Sequence, residues 1–225
     1  MANDQEKEAA ARASLQFVKD GQVVGLGTGS TATHFIHLLS DKVKNGLRVL
    51  GIPTSVRSRD LALSLGIPLT TLDECQEIAV TVDGADEVDP KLRLIKGGGG
   101  AMLREKIVAS ATRQLVIVAD ASKQVPVLGK FPLPMEVIPF AQALVAKRIT
   151  ALGAQVSVRT GADGKPFVTD EHNHILDCRF GQIRDADGLA RELSDMPGVV
   201  EHGLFIGMAS VVLVAKGSEI VELRR

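Results

Sequence analysis

The sequence contains neither tryptophan nor tyrosine, and seven phenylalanines supply all of the 3% aromatic content of its 225 residues. Nucleic-acid bases would therefore find little to stack on, and a formal net charge of −1 provides no field to hold a polyanion. Only two cysteines occur, Cys75 and Cys178, far apart and outside any Cys-x-x-Cys pattern. This excludes a cysteine zinc site and suits a reducing compartment. We expect no nucleic-acid partner and a cytoplasmic location.

Long apolar runs are also missing. No stretch reaches the roughly 18 apolar residues of a membrane span, and the polar start MANDQEKEAAARASLQFV has no signal-peptide core. We therefore expect no membrane partner. A hydrophobic content of 45% is nevertheless enough, at this length, to form one large or two modest domains.

Short apolar runs that end in Gly, Pro or Asp recur through the first part of the chain. They are QVVGLG, LRVLGIP, EIAVTVDG, LRLIKG and LVIVAD, and they are typical of parallel strands buried on both faces. Helical patterns alternate with them at Thr31–Lys44, Val56–Leu65 and Ala101–Thr112, and an amphipathic helix at about Gln5–Val18 precedes them. This alternation predicts an α/β fold with a doubly wound, Rossmann-like, mostly parallel sheet.

The alternation of strand and helix patterns stops at LGKFPLPMEVIP, where prolines interrupt regular structure and mark a domain boundary. The segments that follow approximate a βαββαβ series, which is the ferredoxin-like α+β arrangement. They are MEVIPF, a helix at Ala141–Leu152, AQVSVR, PFVTD, HILDCRF, a helix at Asp185–Met196, and GVVEHGLF. Because ASVVLVAKG is again apolar on both faces, we place it in the first sheet. The predicted domains are residues 1–130 with 205–225, and a smaller inserted domain, residues 131–204.

The loop after the first predicted strand suits an anion. In open α/β sheets ligands bind beyond the carboxyl ends of the strands. Here GLGTGSTA places Thr28, Gly29, Ser30 and Thr31 at the start of a helix, where backbone amides and the helix dipole favour phosphate. A simple helix cap would leave the same pattern. The loop also fits the dinucleotide pattern G-x-G-x-x-A, but the second strand lacks the acidic residue that would bind ribose hydroxyls. A small phosphate ester is therefore favoured over NAD.

Two carboxylates follow the strand EIAVTV in the segment DGADEVD. Asp83 and Asp86 lie three residues apart, and neighbouring carboxylates can take separate acid and base roles. A solvated Asp-Gly turn is the structural alternative. A magnesium site that adds Asp89 is a further alternative, although the spacing of an EF-hand is absent.

Four consecutive glycines follow Lys96 in IKGGGGAMLREKI, and Glu105 falls in the first turn of the next predicted helix. Ordering this much glycine is costly, which indicates backbone that a ligand must approach closely. A first-turn glutamate can be merely a partner of the helix dipole. However, Lys96 and Glu105 share a predicted sheet edge with the two aspartates, and VADASK adds Lys123 there. The histidines show no third ligand at a suitable spacing, so we expect no metal.

Six motifs together carry a family resemblance. GLGTGSTA, DGADEVD, KGGGGAMLREKI, VADASK, GKFPLPMEVIP and GLFIGMA occur in an order and spacing that resemble the type A ribose-5-phosphate isomerases, over essentially the whole chain. The resemblance implies interconversion of D-ribose 5-phosphate and D-ribulose 5-phosphate in the non-oxidative pentose phosphate pathway. It further implies no metal, no organic cofactor and a homodimer.

The resemblance also implies roles for individual residues. It makes Glu105 the proton-transferring base, with Asp83, Asp86 and Lys96 completing the catalytic group. The chemistry itself allows either Asp83 or Asp86 to move hydroxyl protons and help open the sugar ring, and we assign ring opening to Asp83. The implied substrate-binding residues are Lys7, Thr28, Gly29, Ser30, Thr31, Asp83, Gly84, Ala85, Asp86, Lys96, Gly97, Gly98, Gly99 and Lys123. The local pattern around Lys7 alone indicates only a solvated helix face.

Two other functions share parts of this pattern. The scaffold resembles sugar-phosphate-sensing effector domains, which bind without catalysis, but no basic helix-turn-helix accompanies it here. CoA-transferase-like enzymes also place a glutamate after a glycine-rich segment. The DGAD and VADASK loops favour the isomerase over such a transferase.

Overall fold

A computed structural model describes residues 2–217 and 219–225, and in it the chain divides into two units. The first unit comprises Met1–Ala85, Arg104–Gln124 and Met208–Arg225, and the second comprises Asp86–Leu103 and Val125–Gly207. The second unit thus takes in residues 86–103, which the predicted boundaries assign to the first domain. The inserted domain at residues 131–204 stays a prediction.

The helices are α1 (Ala2–Ser14), α2 (Ser30–Lys44), α3 (Val56–Ser64), α4 (Met102–Ser110), α5 (Gln142–Ala151) and α6 (Ala186–Ser194). The strands are β1 (Gln22–Leu26), β2 (Val49–Pro53), β3 (Ile78–Asp83), β4 (Glu87–Val88), β5 (Leu94–Ile95), β6 (Thr112–Asp120), β7 (Leu133–Val137), β8 (Gln155–Val158), β9 (His174–Arg179), β10 (Val199–His202), β11 (Leu204–Phe205), β12 (Ala209–Lys216) and β13 (Glu219–Arg224). In the described part of the chain, none of these helices combines the length and apolar character needed to cross a bilayer.

The first unit is built on a six-stranded sheet with the order β13-β12-β6-β3-β1-β2. All neighbouring strands pair in parallel except the edge pair β12 and β13, which is antiparallel. This confirms the predicted α/β class and the return of ASVVLVAKG to the first sheet as β12. The edge strand β13 was not predicted; each of its residues is exposed or half-buried, and charged residues interrupt its apolar ones, so it carries no long apolar run.

One predicted parallel strand was wrong. Only Leu94 and Ile95 of LRLIKG form a strand, β5, which pairs antiparallel with β4 and β11 in a separate three-stranded sheet of the second unit. Both residues are fully buried. An apolar run therefore predicted burial correctly here but did not indicate which sheet provides it.

The helices of the first unit follow the predicted patterns closely. On α2, Phe35, Ile36 and Leu39 recur at helical spacing and pack in one buried cluster with Leu26 and Val80 of the sheet. Each such side chain stabilises the fold by about 1.5–3 kcal/mol. The observed helices end within about two residues of the predicted bounds, except that α1 stops at Ser14 and continues as a short 3₁₀ helix, Leu15–Phe17.

The second unit contains a four-stranded antiparallel sheet with the order β10-β7-β9-β8. With α5 between β7 and β8 and α6 between β9 and β10, it confirms the predicted βαββαβ ferredoxin-like series. The predicted strand PFVTD is wrong, because Pro166 and Val168 form only isolated bridges. A proline removes a backbone donor, which disfavours a continuous ladder at that point.

A buried acid on β7 ties down the turn before β9. Glu136 is 1% exposed, and its Oε1 accepts hydrogen bonds from Thr169 Oγ1 at 2.8 Å and Asn173 Nδ2 at 2.9 Å. Burial raises the pKa of Glu136 above its ordinary value of 4.5, although these two hydrogen bonds oppose the shift. The neighbouring Glu171 and Asp170 add to the increase by charge repulsion.

Candidate active site

The candidate phosphate-binding loop, Thr28–Thr31, lies where the sequence predicted it, at the junction of β1 and α2. β1 ends at Leu26, α2 begins at Ser30, and Gly29 precedes the helix with φ of 103°, a conformation that favours glycine. The first-turn amides of α2 therefore open onto the carboxyl end of the parallel sheet. Such a helix start can bind an anion.

A group of hydroxyls that the sequence analysis missed holds this loop. Thr28 Oγ1 lies 2.7 Å from Thr54 Oγ1, 2.8 Å from Ser55 Oγ and 3.2 Å from Ser58 Oγ. Ser58 Oγ also donates to the carbonyl of Gly27 at 2.7 Å. The hydroxyl residues follow β2, which is the neighbour of β1. Their position after a predicted strand could therefore have identified them as site candidates. They fix the loop backbone through Thr28.

Asp83 is anchored to the same loop. It ends β3, is 1% exposed, and its Oδ1 accepts the amide protons of Thr28 at 3.0 Å and Gly84 at 2.7 Å. A Cβ atom at Gly27 would lie 2.5 Å from Asp83 Cγ, so only glycine allows this approach. The structure thus brings Thr28 and Asp83 together, as expected from adjacent parallel strands.

Two further predicted residues belong to the first unit. Glu105 lies in the first turn of α4 and is only 5% exposed. A purely solvated partner of the helix dipole would not be buried to this extent. Lys123 is half-buried at the end of a short 3₁₀ helix, Ala121–Lys123, that follows β6.

Asp120 is a site candidate that the sequence analysis did not single out, although it lies in VADASK. It is 1% exposed and caps the 3₁₀ helix through Oδ1, which accepts from the Ser122 amide at 3.0 Å. Its other oxygen, Oδ2, is buried and has no hydrogen-bond partner among the residues that the structure describes. A buried carboxylate oxygen in this state is costly, and such groups concentrate at functional sites.

The second unit positions Asp86 against the glycines. Asp86 Oδ2 accepts the amide proton of Gly98 at 2.7 Å, and the Asp86 amide donates to the Ile95 carbonyl at 2.8 Å. Gly97 and Gly100 have φ of 105° and 81°, so the tight path of this loop depends on glycine. The loop and one predicted carboxylate therefore form a single hydrogen-bonded structure.

Lys96 is 2% exposed, and its Nζ lies 5.5 Å from the centre of the Phe205 ring. Its amide donates to the Gly203 carbonyl at 2.9 Å. A buried ammonium group is unfavourable without compensation, and an aromatic face supplies part of it.

The predicted site residues are distributed over both units. The first unit carries Lys7, Thr28, Gly29, Ser30, Thr31, Asp83, Gly84, Ala85, Glu105 and Lys123, and the second carries Asp86, Lys96, Gly97, Gly98 and Gly99. Lys7 is half-buried on α1. The convergence of Glu105 with Asp83 and Lys96 around one sugar stays a prediction.

The magnesium alternative finds no support around Asp89. Its Oδ1 accepts the amide protons of Lys91 and Arg93, each at 2.9 Å, and its Oδ2 accepts from Arg93 Nε at 2.6 Å. Within residues 2–217 and 219–225, no group of three His, Cys, Asp or Glu side chains is arranged to hold a metal ion. A metal-independent site remains a prediction for assay.

Comparison with known proteins identifies the family. A family model for ribose 5-phosphate isomerase A (phosphoriboisomerase A) matches residues 50–219, which is more than half of the chain. The chain belongs to the ribose 5-phosphate isomerase A family. A relative named ribose-5-phosphate isomerase A from Parvibaculum lavamentivorans is 55% identical, over 98% of this chain and 99% of its own.

Solved structures of the ribose 5-phosphate isomerase A family extend this likeness to the whole fold. The enzyme from Methanocaldococcus jannaschii is 42% identical over 99% of both chains, with a TM-score of 0.95. A D-ribose-5-phosphate isomerase in complex with phospho-erythronic acid is 39% identical over 100% of both chains, with a TM-score of 0.97. The family expectation drawn from the six motifs is thereby confirmed.

Proposed function

We propose that the chain catalyses the reversible interconversion of D-ribose 5-phosphate and D-ribulose 5-phosphate, as its family name implies. The proposal is carried by the burial of Glu105 and Lys96 within a chain of this family. Such groups are retained in a protein interior at a cost, and buried ionisable groups are found at functional sites.

The proposed reaction moves a carbonyl between two neighbouring carbons. Glu105 removes the proton from C2 of the open-chain aldose, and the electron pair forms an enediolate. The proton returns at C1 while the hydroxyl proton on O2 passes to O1, which leaves the carbonyl at C2. Lys96 stabilises the negative oxygen of the enediolate. Asp83 transfers the hydroxyl proton during opening of the sugar ring, and Asp86 completes the group. A placed base contributes about 10²–10⁴-fold in rate, and an oxyanion donor about 3–4 kcal/mol.

Phosphate binding is assigned to the first loop and two lysines. The amides of Ser30 and Thr31 at the start of α2, with the cations of Lys123 and Lys7, provide donors and positive charge. Gly29, Gly84, Ala85 and Gly97–Gly99 contribute backbone contacts to the sugar. This assignment is supported by the hydrogen bonds that fix the loop, from the Thr28 amide to Asp83 and between the hydroxyls of Thr28 and Thr54.

A deuterium assay tests the proposal directly. The purified protein is incubated with D-ribose 5-phosphate in D₂O containing EDTA, and ketose formation is followed together with deuterium at the carbon that receives the proton. We expect turnover and incorporation without added metal. Binding without turnover would favour the sugar-phosphate effector domain, and turnover that requires an acyl-CoA would favour a transferase.

We further propose a cytoplasmic homodimer. Both cysteines, Cys75 and Cys178, are free thiols, which suits a reducing compartment. Phe140 is fully exposed, and Ile138 and Leu144 are about half-exposed on the same segment of the second unit. Large apolar groups clustered on a surface are typical of a protein contact, and a second copy of the chain is the proposed occupant.

A further inference from the structure

An arginine outside the predicted site holds the glycine loop, defined here as Gly97–Gly100. Arg159 follows β8, and its side chain is 15% exposed. Its Nη1 donates to the carbonyl of Gly97 at 2.9 Å and to the carbonyl of Gly98 at 3.1 Å. One guanidinium nitrogen thus bonds two successive carbonyls of the loop.

Asp177 on the neighbouring strand β9 orients this guanidinium. Its Oδ2 accepts from Arg159 Nε at 3.0 Å, and its Oδ1 accepts from Nη2. Two parallel bonds of this kind fix both the position and the plane of an arginine. The remaining nitrogen, Nη1, is therefore directed at the loop. The backbone of Arg159 is fixed as well, since its amide donates to Ile175 on β9 at 2.8 Å and its carbonyl accepts from Phe167 at 2.8 Å.

The consequence for the loop follows from peptide geometry. In a trans peptide the carbonyl and the following amide point in opposite directions. When Arg159 holds the Gly97 carbonyl, the Gly98 amide points away from it, and this amide donates to Asp86 Oδ2 at 2.7 Å. Holding the Gly98 carbonyl sets the direction of the Gly99 amide in the same way.

We infer that Arg159, oriented by Asp177, is a positioning residue that presents the Gly99 amide and the Asp86 carboxylate, which the Gly98 amide holds, to the sugar phosphate. The inference rests on the proposed function, because it assumes that this loop and Asp86 contact the substrate. Four glycines have little conformational preference of their own, so hydrogen bonds from outside the loop are needed to select one loop conformation.

Kinetics of three variants test this role. We expect Arg159→Ala to raise KM for D-ribose 5-phosphate and to lower kcat/KM by about 10- to 100-fold, the size expected for losing hydrogen bonds from a charged donor. Arg159→Lys keeps the positive charge but lacks the planar guanidinium that bonds Asp177 and the loop carbonyls together. Its kcat/KM should fall nearly as much. Arg179→Ala, at an exposed arginine on β9, is the matched control and should behave as wild type.

Two readouts separate positioning from a general loss of structure. Guanidinium ion added at millimolar concentration should restore part of the activity of Arg159→Ala and none in Arg159→Lys, where the site is filled. Amide hydrogen exchange at Gly98 should be faster in Arg159→Ala, while amides in β1 and β3 keep wild-type protection. Wild-type kcat/KM in both Arg159 variants, or unchanged exchange at Gly98, would overturn the inference.

The outcomes also separate this inference from the proposed function. If the wild-type protein binds ribose 5-phosphate without isomerising it, the proposed function fails. The role of Arg159 is then decided by the dissociation constant for ribose 5-phosphate and by Gly98 exchange. A weaker affinity and faster exchange in Arg159→Ala would still support it, and no change in either would reject it.

Discussion

Replacing Gly27 by alanine should damage the proposed chemistry through a single methyl group. A Cβ at this position would lie 2.5 Å from Asp83 Cγ and 2.6 Å from Asp83 Cα. The first contact can be relieved by turning the Asp83 side chain about its Cα–Cβ bond, but the second involves the backbone of the central strand β3. Overpacking of this kind costs about 1–3 kcal/mol of the free energy of unfolding.

The larger effect should fall on activity. Rotation takes Asp83 Oδ1 away from the amides of Thr28 and Gly84, which now donate to it at 3.0 and 2.7 Å. A misplaced acid or base loses most of its contribution, which is about 10²–10⁴-fold. We therefore expect kcat/KM of Gly27→Ala to fall about 100-fold or more in protein that remains folded.

Gly25→Ala, two residues earlier on β1, provides a matched control. Its added Cβ would lie 2.7 Å from the Cβ of Thr81, a buried residue with no proposed role in catalysis. Both variants should lose stability by similar amounts in urea unfolding, but only Gly27→Ala should lose activity per folded molecule. Equal activity in the two variants, measured where both are folded, would refute the role assigned to Asp83.

The remaining predictions concern the base, the phosphate site, a buried acid and the dimer. Glu105→Gln should keep the unfolding transition and the affinity for ribose 5-phosphate while kcat falls about 10³-fold, in single-turnover assays; near-normal turnover removes Glu105 from the role of base. Lys123→Ala should raise KM with a smaller change in kcat, and an unchanged KM contradicts the phosphate assignment. Because the folded-state pKa of Glu136 is raised, the folded protein retains this proton over a pH range that starts near 4.5, where the unfolded chain has lost it. Stability should therefore fall as pH rises through that range, and Glu136→Gln, compared with wild type in urea unfolding at several pH values, should not show this part of the loss. Phe140→Glu should shift the sedimentation of the protein from dimer towards monomer, whereas an unchanged mass excludes this surface from the contact.

The positions of two loops of the candidate site were predictable because each loop directly follows a strand. Asp83 ends β3 and the Thr28–Thr31 segment follows β1, and these strands are adjacent and parallel. Local apolar patterns were enough to locate both strands. The rule that ligands bind beyond the carboxyl ends of parallel strands then pointed to the loops that follow them. The hydroxyls of Thr54, Ser55 and Ser58 were missed, because a short polar stretch after a strand is equally typical of an ordinary helix cap.

The sequence by itself determined the alternation of strands and helices, the βαββαβ series and the family, since each of these depends on patterns read over short, contiguous segments. Tertiary structure alone decided that LRLIKG joins an antiparallel sheet, and that Arg159 reaches Gly97 across 62 positions of the chain. The physical reason is that periodicity specifies which face of a segment is buried. Which distant segment covers that face depends on how all the elements pack.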